Sequence, residues 1–404
     1  MKTSFDKGKN GKRKPFIVAG FCILLIASIL PLCQMVFRPF PDLRSEENRV
    51  LATKPVFSRT AGTHEFIRGF EAYFDDNFGF RNLLIRINTL IHLKIFHISP
   101  MPLNEVVVGK SGWLFYNVKS DGSSFDDYYG LDALDSRQLR VIKQNMETMK
   151  GRLADLNIAL VFVITPTKHS IYEEYLPSGV ALMKGNPHRA DQVVGVWDTD
   201  DTRASLIDLR AILREKKKEW PYPLYLKTDT HWNNLGSFIA YEEIIRRARR
   251  YNPHVRVVSA RDFRIFEKPL SSSGDLCRMI NLDRLIDESD VVFEPLVASR
   301  VTVSEIRTAY YRYGWSSTAK RVRPVKVLLF GDSFSERLIP FLAESFSEGL
   351  YFTSPLTVDF AIIEKERPDV LVIEMNERYV GSLKVRWSSK QTRPERWVFP
   401  APVL

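Results

Sequence analysis

A serine, a histidine and an aspartate are the residues of this sequence whose spacing can support nucleophilic chemistry. Ser333 lies in Gly331-Asp-Ser-Phe-Ser335, and the other two lie in Asp229-Thr-His-Trp-Asn233. In an extended segment, side chains two positions apart point the same way, so the Asp229 carboxylate can orient the His231 ring. The second ring nitrogen can then take the proton of a serine hydroxyl, which is a poor nucleophile until a base activates it. The pattern therefore predicts acyl transfer through a covalent serine intermediate.

Each motif has an ordinary structural interpretation when it is taken alone. Gly-Asp-Ser also forms simple turns, and Asp-x-His can begin a helix or provide two metal ligands. Because no further His or Cys cluster lies near His231 in the sequence, we expect no metal site. Asn233 or Asn234 is expected to cap a helix. Asp332 and Asp275 are expected to be structural, with Asp275 at a helix cap.

The segment around Ser333 predicts a strand, a turn and a helix. A β-branched and apolar run, as in a buried parallel strand, is formed by Val325, Val327, Leu328, Leu329 and Phe330. After Gly331 the apolar positions Leu338, Ile339, Phe341, Leu342 and Phe346 indicate an amphipathic helix. Ser333 therefore lies between the carboxyl end of a strand and the amino end of a helix, where open α/β sheets build their sites. Unpaired N–H groups at that position can bind an oxyanion.

Strands and helices are predicted to alternate along most of the chain, which favours an α/β fold with a mostly parallel sheet covered on both faces. His64–His97 is predicted to form two helices divided at Asn77–Phe80, and Val106–Gly109 with Gly112–Tyr116 a hairpin. The later predicted helices are Ser136–Leu156, Asp208–Trp220, Leu235–Arg250 and Asp359–Glu366. The later predicted strands are Ile158–Thr165, Val193–Trp197, Leu224–Leu226, Gly349–Thr353 and Asp369–Glu374.

Composition indicates a globular protein with a basic surface. The 404 residues are 45% hydrophobic and 26% charged, with a net charge of +10 and a sequence pI near 9.3. Such a charge suits an acidic partner, but no aromatic-interleaved basic module or zinc-finger spacing supports nucleic acid. Two of the three cysteines, Cys22 and Cys33, lie in an apolar N-terminal segment, so Cys277 has no partner for a disulfide in the remaining chain.

The N-terminal segment predicts a membrane anchor. Residues 15–37 carry no charge and follow a basic stretch at residues 1–14. That length can cross a hydrocarbon core of about 30 Å, and the flanking charges place the N-terminus in the cytoplasm. A cleaved signal peptide is the alternative, but the small residues of a cleavage site are missing. We therefore expect a single-pass anchor in a bacterial cytoplasmic membrane, with the rest of the chain in the periplasm.

The serine and Asp-His motifs together resemble those of the alginate O-acetyltransferases AlgJ and AlgX, which are circularly permuted relatives of the SGNH hydrolases. The resemblance runs from about Glu46 to Arg378, and the Asp-x-His-Trp motif is its most specific part. Other similar stretches are Val107–Phe115, Pro166–Lys168, Gly274–Leu276 and Glu374–Arg378. The predicted anchor makes the resemblance closer to AlgJ. Its order, with Asp-His before Ser, is that of the permuted family.

This resemblance implies Ser333 as nucleophile, His231 as general base and acid, and Asp229 as the residue that orients it. Lys168 and Tyr172 follow a strand and are candidates for substrate binding; a surface lysine and a packing tyrosine are the alternative. Only the Ser333 N–H can be matched to the oxyanion donors of ordinary SGNH enzymes. Glu374, Glu377 and Arg378 are predicted to form an ion pair that shapes the cleft.

The sequence therefore predicts a membrane-anchored enzyme that acetylates polysaccharide hydroxyls, with no metal or bound cofactor. The resemblance implies an MBOAT-type membrane O-acyltransferase as the partner that supplies acetyl. An acetyl esterase with the same triad, and a non-catalytic component of a polysaccharide export complex, remain as alternatives. The predicted organisation is a tail at 1–14, an anchor at 15–37, a tether at 38–63, the SGNH-like domain at 64–380 with a possible insertion at 252–323, and a tail at 381–404.

Overall fold

Two units make up the chain in the computed structural model. The helical unit is Met1–Pro100 with Arg278–Leu282, and the α/β unit is Met101–Cys277 with Asp283–Leu404. The structure describes residues 13–40, 51–57, 62–91, 105–122, 124–197, 206–280, 282, 286–306, 313–317, 323–353 and 358–384.

The helical unit contains α1 (Arg13–Phe37), α2 (Gly62–Asn77) and α3 (Arg81–Ile91). The predicted division of the second helical stretch at Asn77–Phe80 is confirmed, and the last predicted residues, 92–97, lie outside the described part. The predicted anchor at 15–37 falls within α1. Nowhere among the described residues does a helix combine the length and the apolar character that a membrane crossing requires.

A seven-stranded mixed sheet is the centre of the α/β unit, in the order β4-β3-β11-β9-β10-β8-β7. A separate hairpin of β1 (Val106–Val108) and β2 (Leu114–Tyr116) precedes it, as predicted. The other strands are β3 (Ala159–Thr165), β4 (Leu206–Asp208), β5 (Phe263–Pro269), β6 (Ser289–Pro295), β7 (Val301–Glu305), β8 (Tyr313–Ser317), β9 (Lys326–Gly331), β10 (Glu348–Thr353) and β11 (Val370–Asn376).

Five neighbouring strands of this sheet, β4, β3, β11, β9 and β10, run parallel. The two at one edge, β8 and β7, run antiparallel to their neighbours. Both come from the region 252–323, so part of the predicted insertion completes the main sheet. The other part, β5 and β6, forms its own antiparallel hairpin. The predicted parallel sheet is therefore a mixed one.

Helices cover both faces of the sheet, because alternate residues of each central strand enter two different cores. Val161 and Val163 of β3 pack in one core, and Leu160 and Phe162 pack in the other. The helices of this unit are α4 (Ser124–Tyr128), α5 (Ser136–Asp155), α6 (Lys168–Ile171), α7 (Ser178–Ala181), α8 (Arg189–Val196), α9 (Leu209–Glu219), α10 (Asn234–Tyr251), α11 (Asp275–Met279), α12 (Ile339–Ser345) and α13 (Phe360–Glu366).

Two of the predicted strands are wrong. Val193–Trp197 lies mostly in α8, because Ala190, Val193 and Trp197 are buried at helical spacing and not at alternate positions. Leu224–Leu226 is a loop that makes a single bridge between Tyr225 and Trp232. The other predicted helices and strands match observed elements within a few residues. The predicted domain boundaries stay predictions, and residues 385–404 of the predicted tail lie outside the described part.

Candidate active site

Ser333 lies directly after β9, on a turn that its neighbour Asp332 shapes. The Asp332 carboxylate accepts hydrogen bonds from the N–H groups of Phe334 (2.9 Å) and Asn376 (2.9 Å). Its carbonyl accepts a hydrogen bond from the Tyr351 hydroxyl at 2.7 Å. Ser333 then begins a 3₁₀-helix, Ser333–Leu338, that leads into α12. The predicted strand, turn and helix are present, with this tight 3₁₀ segment between turn and helix.

A buried carboxyl group supports this turn from below. Glu374, on β11, is inaccessible to solvent, and its Oε2 accepts hydrogen bonds from Asp332 N (3.2 Å) and Ser335 Oγ (2.8 Å). Burial, together with the nearby Asp332 carboxylate, raises the pKa of Glu374 well above its ordinary value. The raised pKa favours the protonated form of Glu374, and its Oε2 holds the Asp332 backbone and the Ser335 side chain on either side of Ser333.

The three predicted chemical residues are in contact. His231 Nε2 lies 2.7 Å from Ser333 Oγ, and His231 Nδ1 lies 2.7 Å from Asp229 Oδ1. The same Asp229 oxygen also accepts a hydrogen bond from the His231 backbone N–H at 3.0 Å. The His231 side chain is 23% exposed, so a ligand in solution can reach the ring. The positions match a nucleophile, a base and a group that orients the base.

The loop that carries Asp229 and His231 is closed by its own backbone and tied to the serine turn. Leu224 O accepts a hydrogen bond from Asn233 N at 2.9 Å, and His231 O accepts one from Leu226 N. The Trp232 indole N–H donates to Phe334 O at 3.0 Å, which links this loop to the residue after Ser333. Asn233 caps α10, as predicted, by accepting from two N–H groups of the first turn.

A second segment, Gly274–Cys277, clamps this loop, whereas the sequence predicts only a helix cap at Asp275 and a family resemblance over Gly274–Leu276. Gly274 N donates to Thr228 Oγ1 at 2.8 Å, and Cys277 N donates to Thr228 O at 3.1 Å. Asp275 N donates to Asp229 Oδ2 at 3.1 Å. The carboxylate of Glu288 accepts hydrogen bonds from Lys227 N, Thr228 N and the Thr228 hydroxyl. These contacts join residues 46 or more positions apart, so no local sequence pattern reports them.

The two candidate substrate-binding residues lie differently from the triad. Lys168 is buried, and its ammonium donates to the carbonyls of Leu226 (2.8 Å) and Lys227 (2.9 Å), while its side chain also lines a small cleft. Tyr172 is buried against Trp113, and its hydroxyl accepts a hydrogen bond from Leu224 N at 2.7 Å. Both residues therefore hold the loop that precedes Asp229, and Tyr172 is not among the residues that line the cleft.

Glu377 and Arg378 do not form the predicted ion pair among the described residues. Glu377 accepts hydrogen bonds from Thr167 and Ser170 and lies 3.9 Å from the guanidinium of Arg210. Arg378 pairs instead with Asp121 at 3.3 Å. The prediction was wrong because both side chains follow a strand end where residues distant in sequence, and not their neighbours, supply opposite charge.

The cleft beside the triad lies at the carboxyl edge of the parallel strands, the position that open α/β sheets use for ligands. Thr230 and Phe334, the neighbours of His231 and Ser333, line it together with Lys168 and Arg378. The N–H of Ser333 belongs to the first residue of the 3₁₀-helix, so it has no acceptor within that helix.

Charges around His231 favour its protonated form. Burial of the ring opposes protonation, but the hydrogen bond to Asp229 and the negative charges of Asp229, Asp275 and Asp332 outweigh it and raise the pKa of His231 above its ordinary value. The pKa of Asp229 is held well below its usual range, because its contacts with His231 outweigh its burial. Burial lowers the pKa of Lys168 to about 8, against the opposite pull of nearby carboxylates.

Asp229, His231 and Asp275 also bring possible ligand atoms within 4.8 Å of one another. The sequence argument against a metal counted two ligands, and the structure adds Asp275 as a third. However, both ring nitrogens of His231 already lie 2.7 Å from hydrogen-bonding partners, one a carboxylate and one a hydroxyl. These two contacts suit proton transfer between the Ser333 hydroxyl and the His231 ring.

A mixed α/β sheet covered by helices on both faces, with a Ser–His–Asp chain at the carboxyl edge of its parallel strands, defines a protein of the SGNH-like class. A family model described as "SGNH hydrolase-like domain, acetyltransferase AlgX" matches residues 106–354, well over half of the chain. The chain belongs to this family.

Two curated relatives are similar to the chain in sequence. The chain is 27% identical to the probable alginate O-acetylase AlgJ of Pseudomonas aeruginosa over 256 residues, 59% of this chain and 57% of the relative. It is 25% identical to the Pseudomonas putida protein of the same name over 223 residues, 53% of this chain and 51% of the relative. The chain thus matches little more than half the length of these curated relatives.

Two solved structures are similar to this chain. One is PatB1 of Bacillus cereus, at 18% identity and a TM-score of 0.48, with 68% of this chain and 96% of that chain covered. The other is the O-acetyltransferase domain of Pseudomonas putida AlgJ, at 18% identity and a TM-score of 0.40, with 68% and 92% covered.

Proposed function

We propose that this protein is an O-acetyltransferase that moves acetyl groups onto polysaccharide hydroxyls through Ser333, His231 and Asp229. The single observation that carries the proposal is the hydrogen-bonded chain from Asp229 through His231 to Ser333, with 2.7 Å at each side-chain contact. Membership of a family described as acetyltransferase supports acetyl as the transferred group. The names of the AlgJ relatives support a polysaccharide as the acceptor.

The proposed cycle has two half-reactions that share one base. Ser333 Oγ attacks the acetyl carbonyl of a donor while His231 Nε2 takes the hydroxyl proton, and the Ser333 N–H stabilises the oxyanion. The tetrahedral species collapses to acetyl-serine, and His231 returns the proton to the leaving group. A sugar hydroxyl then gives its proton to His231 and attacks acetyl-serine, and Ser333 leaves with that proton. Asp229 holds the ring and stabilises the imidazolium in both halves.

An acetyl esterase is the second function that this geometry supports, because only the acceptor differs. In the esterase, water replaces the sugar hydroxyl in the second half-reaction, and every residue keeps its role. A third reading is a non-catalytic component of a polysaccharide export complex, in which Ser333 has no chemical role.

The experiment that separates these functions measures both products. Full-length protein is incubated with an activated acetyl ester and an oligosaccharide, and acetylated sugar and free acetate are quantified. The transferase predicts acetylated sugar that Ser333→Ala abolishes and that the exposed control Ser178→Ala leaves unchanged. Free acetate without acetylated sugar would contradict the transferase hypothesis and favour the esterase hypothesis. Unchanged polymer acetylation by Ser333→Ala in cells would favour the non-catalytic role.

We further propose that the protein is attached to a bacterial cytoplasmic membrane by the segment at 15–37, with the catalytic unit in the periplasm. The support is the sequence itself, an uncharged stretch preceded by basic residues. An MBOAT-type membrane O-acyltransferase would then deliver acetyl from the cytoplasmic side, as the resemblance implies. Recovery of the full-length protein in the wash after alkaline extraction of membranes would contradict the anchor.

A further inference from the structure

Asp275 is a second carboxylate that faces the imidazole of His231. Its Oδ2 lies 4.0 Å from His231 Nδ1, the nitrogen that Asp229 contacts at 2.7 Å. We propose that Asp275 is a positioning residue for the triad, which fixes Asp229 and adds a second negative charge beside the imidazolium. The catalytic consequence rests on the function proposed above, whereas the effect on His231 does not.

The backbone and the side chain of Asp275 each form a hydrogen bond with the loop that carries Asp229. Its N–H donates to Asp229 Oδ2 at 3.1 Å, so the carboxylate oxygen that does not face the imidazole is held in place. Its own Oδ1 accepts a hydrogen bond from Thr230 N at 2.7 Å. Thr230 lies between Asp229 and His231 in the sequence. The hydrogen bond from Thr230 to Asp275 therefore helps to position both of these residues.

The charge of Asp275 acts on the same proton as that of Asp229. When His231 takes the serine proton it becomes an imidazolium, and a carboxylate at 4.0 Å stabilises that cation. The other charged or titratable groups around this pair are Asp229 and Asp332 beside His231, Lys168 and Glu288 beside the loop, and Tyr116 beside Asp275. Of the carboxylates, Asp229 makes the direct hydrogen bond, so Asp275 tunes a ring that Asp229 has already oriented.

Asp275→Asn removes the negative charge of the side chain and keeps its hydrogen bonds. The amide oxygen can still accept from Thr230 N, and the backbone N–H still donates to Asp229. The proposal predicts that the acidic limb of kcat/KM for acetyl-ester turnover moves to lower pH by roughly half a unit to two units. Asp275→Glu keeps a negative charge and is expected to retain most of the wild-type limb. Asp155→Asn, an exposed carboxylate at the end of α5, is the matched control and is expected to change nothing.

A purely structural role predicts a different profile. Activity would then fall by the same factor at every pH, with the acidic limb unmoved, and that result would overturn the proposal. Thermal unfolding of each variant shows whether it is folded. If Asp275→Asn does not fold, Asp275→Ser, which also removes the charge, takes its place: the acidic limb moves to lower pH if the proposal holds and stays where it is if Asp275 is only structural.

Direct titration of His231 separates this inference from the proposed function. Full-length protein with ¹³C-labelled histidine is titrated by NMR, and the His231 signal is assigned by its loss in His231→Gln. A lower His231 pKa in Asp275→Asn supports the inference even if no acetyl transfer is found. An unchanged His231 pKa in a folded Asp275→Asn protein overturns it even if acetyl transfer is fully demonstrated.

Discussion

His231 is the residue through which every proton of the proposed cycle passes, and its two ring nitrogens are both committed. Nδ1 contacts the Asp229 carboxylate and Nε2 contacts the Ser333 hydroxyl. This arrangement fixes one tautomer of the neutral ring, with the proton on Nδ1 and the lone pair of Nε2 aimed at the hydroxyl. The raised pKa makes the ring a stronger base, and activity is therefore lost on acidification at a higher pH than it would be with an ordinary histidine.

Glu374 gives a prediction at the residue scale, because it is buried beneath the serine turn with a strongly raised pKa. The folded protein keeps a proton on Glu374 at pH values where the unfolded chain, with a pKa near 4.5, has lost it. The free energy of unfolding therefore decreases as pH rises above that value, and Glu374→Gln should remove this decrease. Urea unfolding at pH 5 and pH 8 measures both.

The matched substitution is Glu374→Ala, which leaves Asp332 N–H and the Ser335 hydroxyl without their acceptor. We expect it to cost about 2–4 kcal/mol of unfolding free energy at pH 5, from the unsatisfied donors and the cavity, and less at pH 8, where the wild-type protein has lost part of its stability. A Glu374→Gln protein that is equally destabilised, and keeps the wild-type pH dependence, would show that Glu374 is ionised.

Ser333, His231 and Asp229 could be predicted from the sequence. Asp229 and His231 are two positions apart, and Ser333 lies in a recognisable strand-turn-helix pattern. Their contact is confirmed, and their catalytic roles stay predictions. The contact between Asp275 and His231 was not predicted. The sequence around an aspartate that caps a helix looks the same whether or not its carboxylate also faces a distant imidazole. Lys168 was predicted as a substrate-binding candidate from its position after a strand. Only the fold shows that its ammonium donates hydrogen bonds to the carbonyls of Leu226 and Lys227.

At the scale of elements, the site depends on a clamp between two loops and not on a strand end alone. The loop Leu226–His231 leaves the sheet region without forming a strand, and the segment Gly274–Cys277 holds it by backbone and side-chain hydrogen bonds. The close approach of the two backbones requires a glycine at position 274. A Cβ there would lie 2.5 Å from both Asp229 N and Thr228 O.

Gly274→Ala is therefore expected to displace Asp229 and to reduce kcat/KM by about 10²-fold, since a displacement of about 1 Å has that cost at a catalytic group. Acetyl-ester turnover and thermal unfolding are measured together. The control is Gly151→Ala towards the carboxyl end of α5, where a Cβ meets no atom within 4 Å. It should raise stability by about 0.5–1 kcal/mol and leave turnover unchanged. Wild-type turnover in Gly274→Ala would show that the clamp does not position the site.

The elements that were predicted correctly include α5, which has a strong helical period, and β3, which is a continuous apolar run typical of a buried parallel strand. Short apolar runs were ambiguous, and α8 shows why: Val193–Trp197 has strand composition, but its burial follows a helical repeat that begins at Ala190. The three-residue strand β4 escaped prediction because Leu206–Asp208 is too short to show any period. The antiparallel edge strands β7 and β8 were not placed in the main sheet by prediction, since β8 joins that sheet by pairing with β10, which is distant in sequence.

At the scale of the whole molecule, the site is formed by residues that are far apart in the sequence. The serine follows β9 in the middle of the sheet, whereas the Asp-His loop comes about a hundred residues earlier and reaches the serine turn through Trp232. Topology therefore assembles the site from separate parts of the chain, as the permuted family order predicts. The role of the helical unit, with α1 to α3, stays a proposal that depends on the membrane experiment.

The central claim is that Ser333 becomes acetylated and passes the acetyl group to a carbohydrate. The most direct measurement is mass spectrometry of the Ser333 peptide after full-length protein is mixed with an activated acetyl ester and quenched in acid. We predict one acetyl group on Ser333, little or none in His231→Gln, and faster loss of the acetyl group when oligosaccharide is added than in buffer alone. An unmodified Ser333 during turnover, or equal acetylation of Ser333 in His231→Gln, would contradict the mechanism.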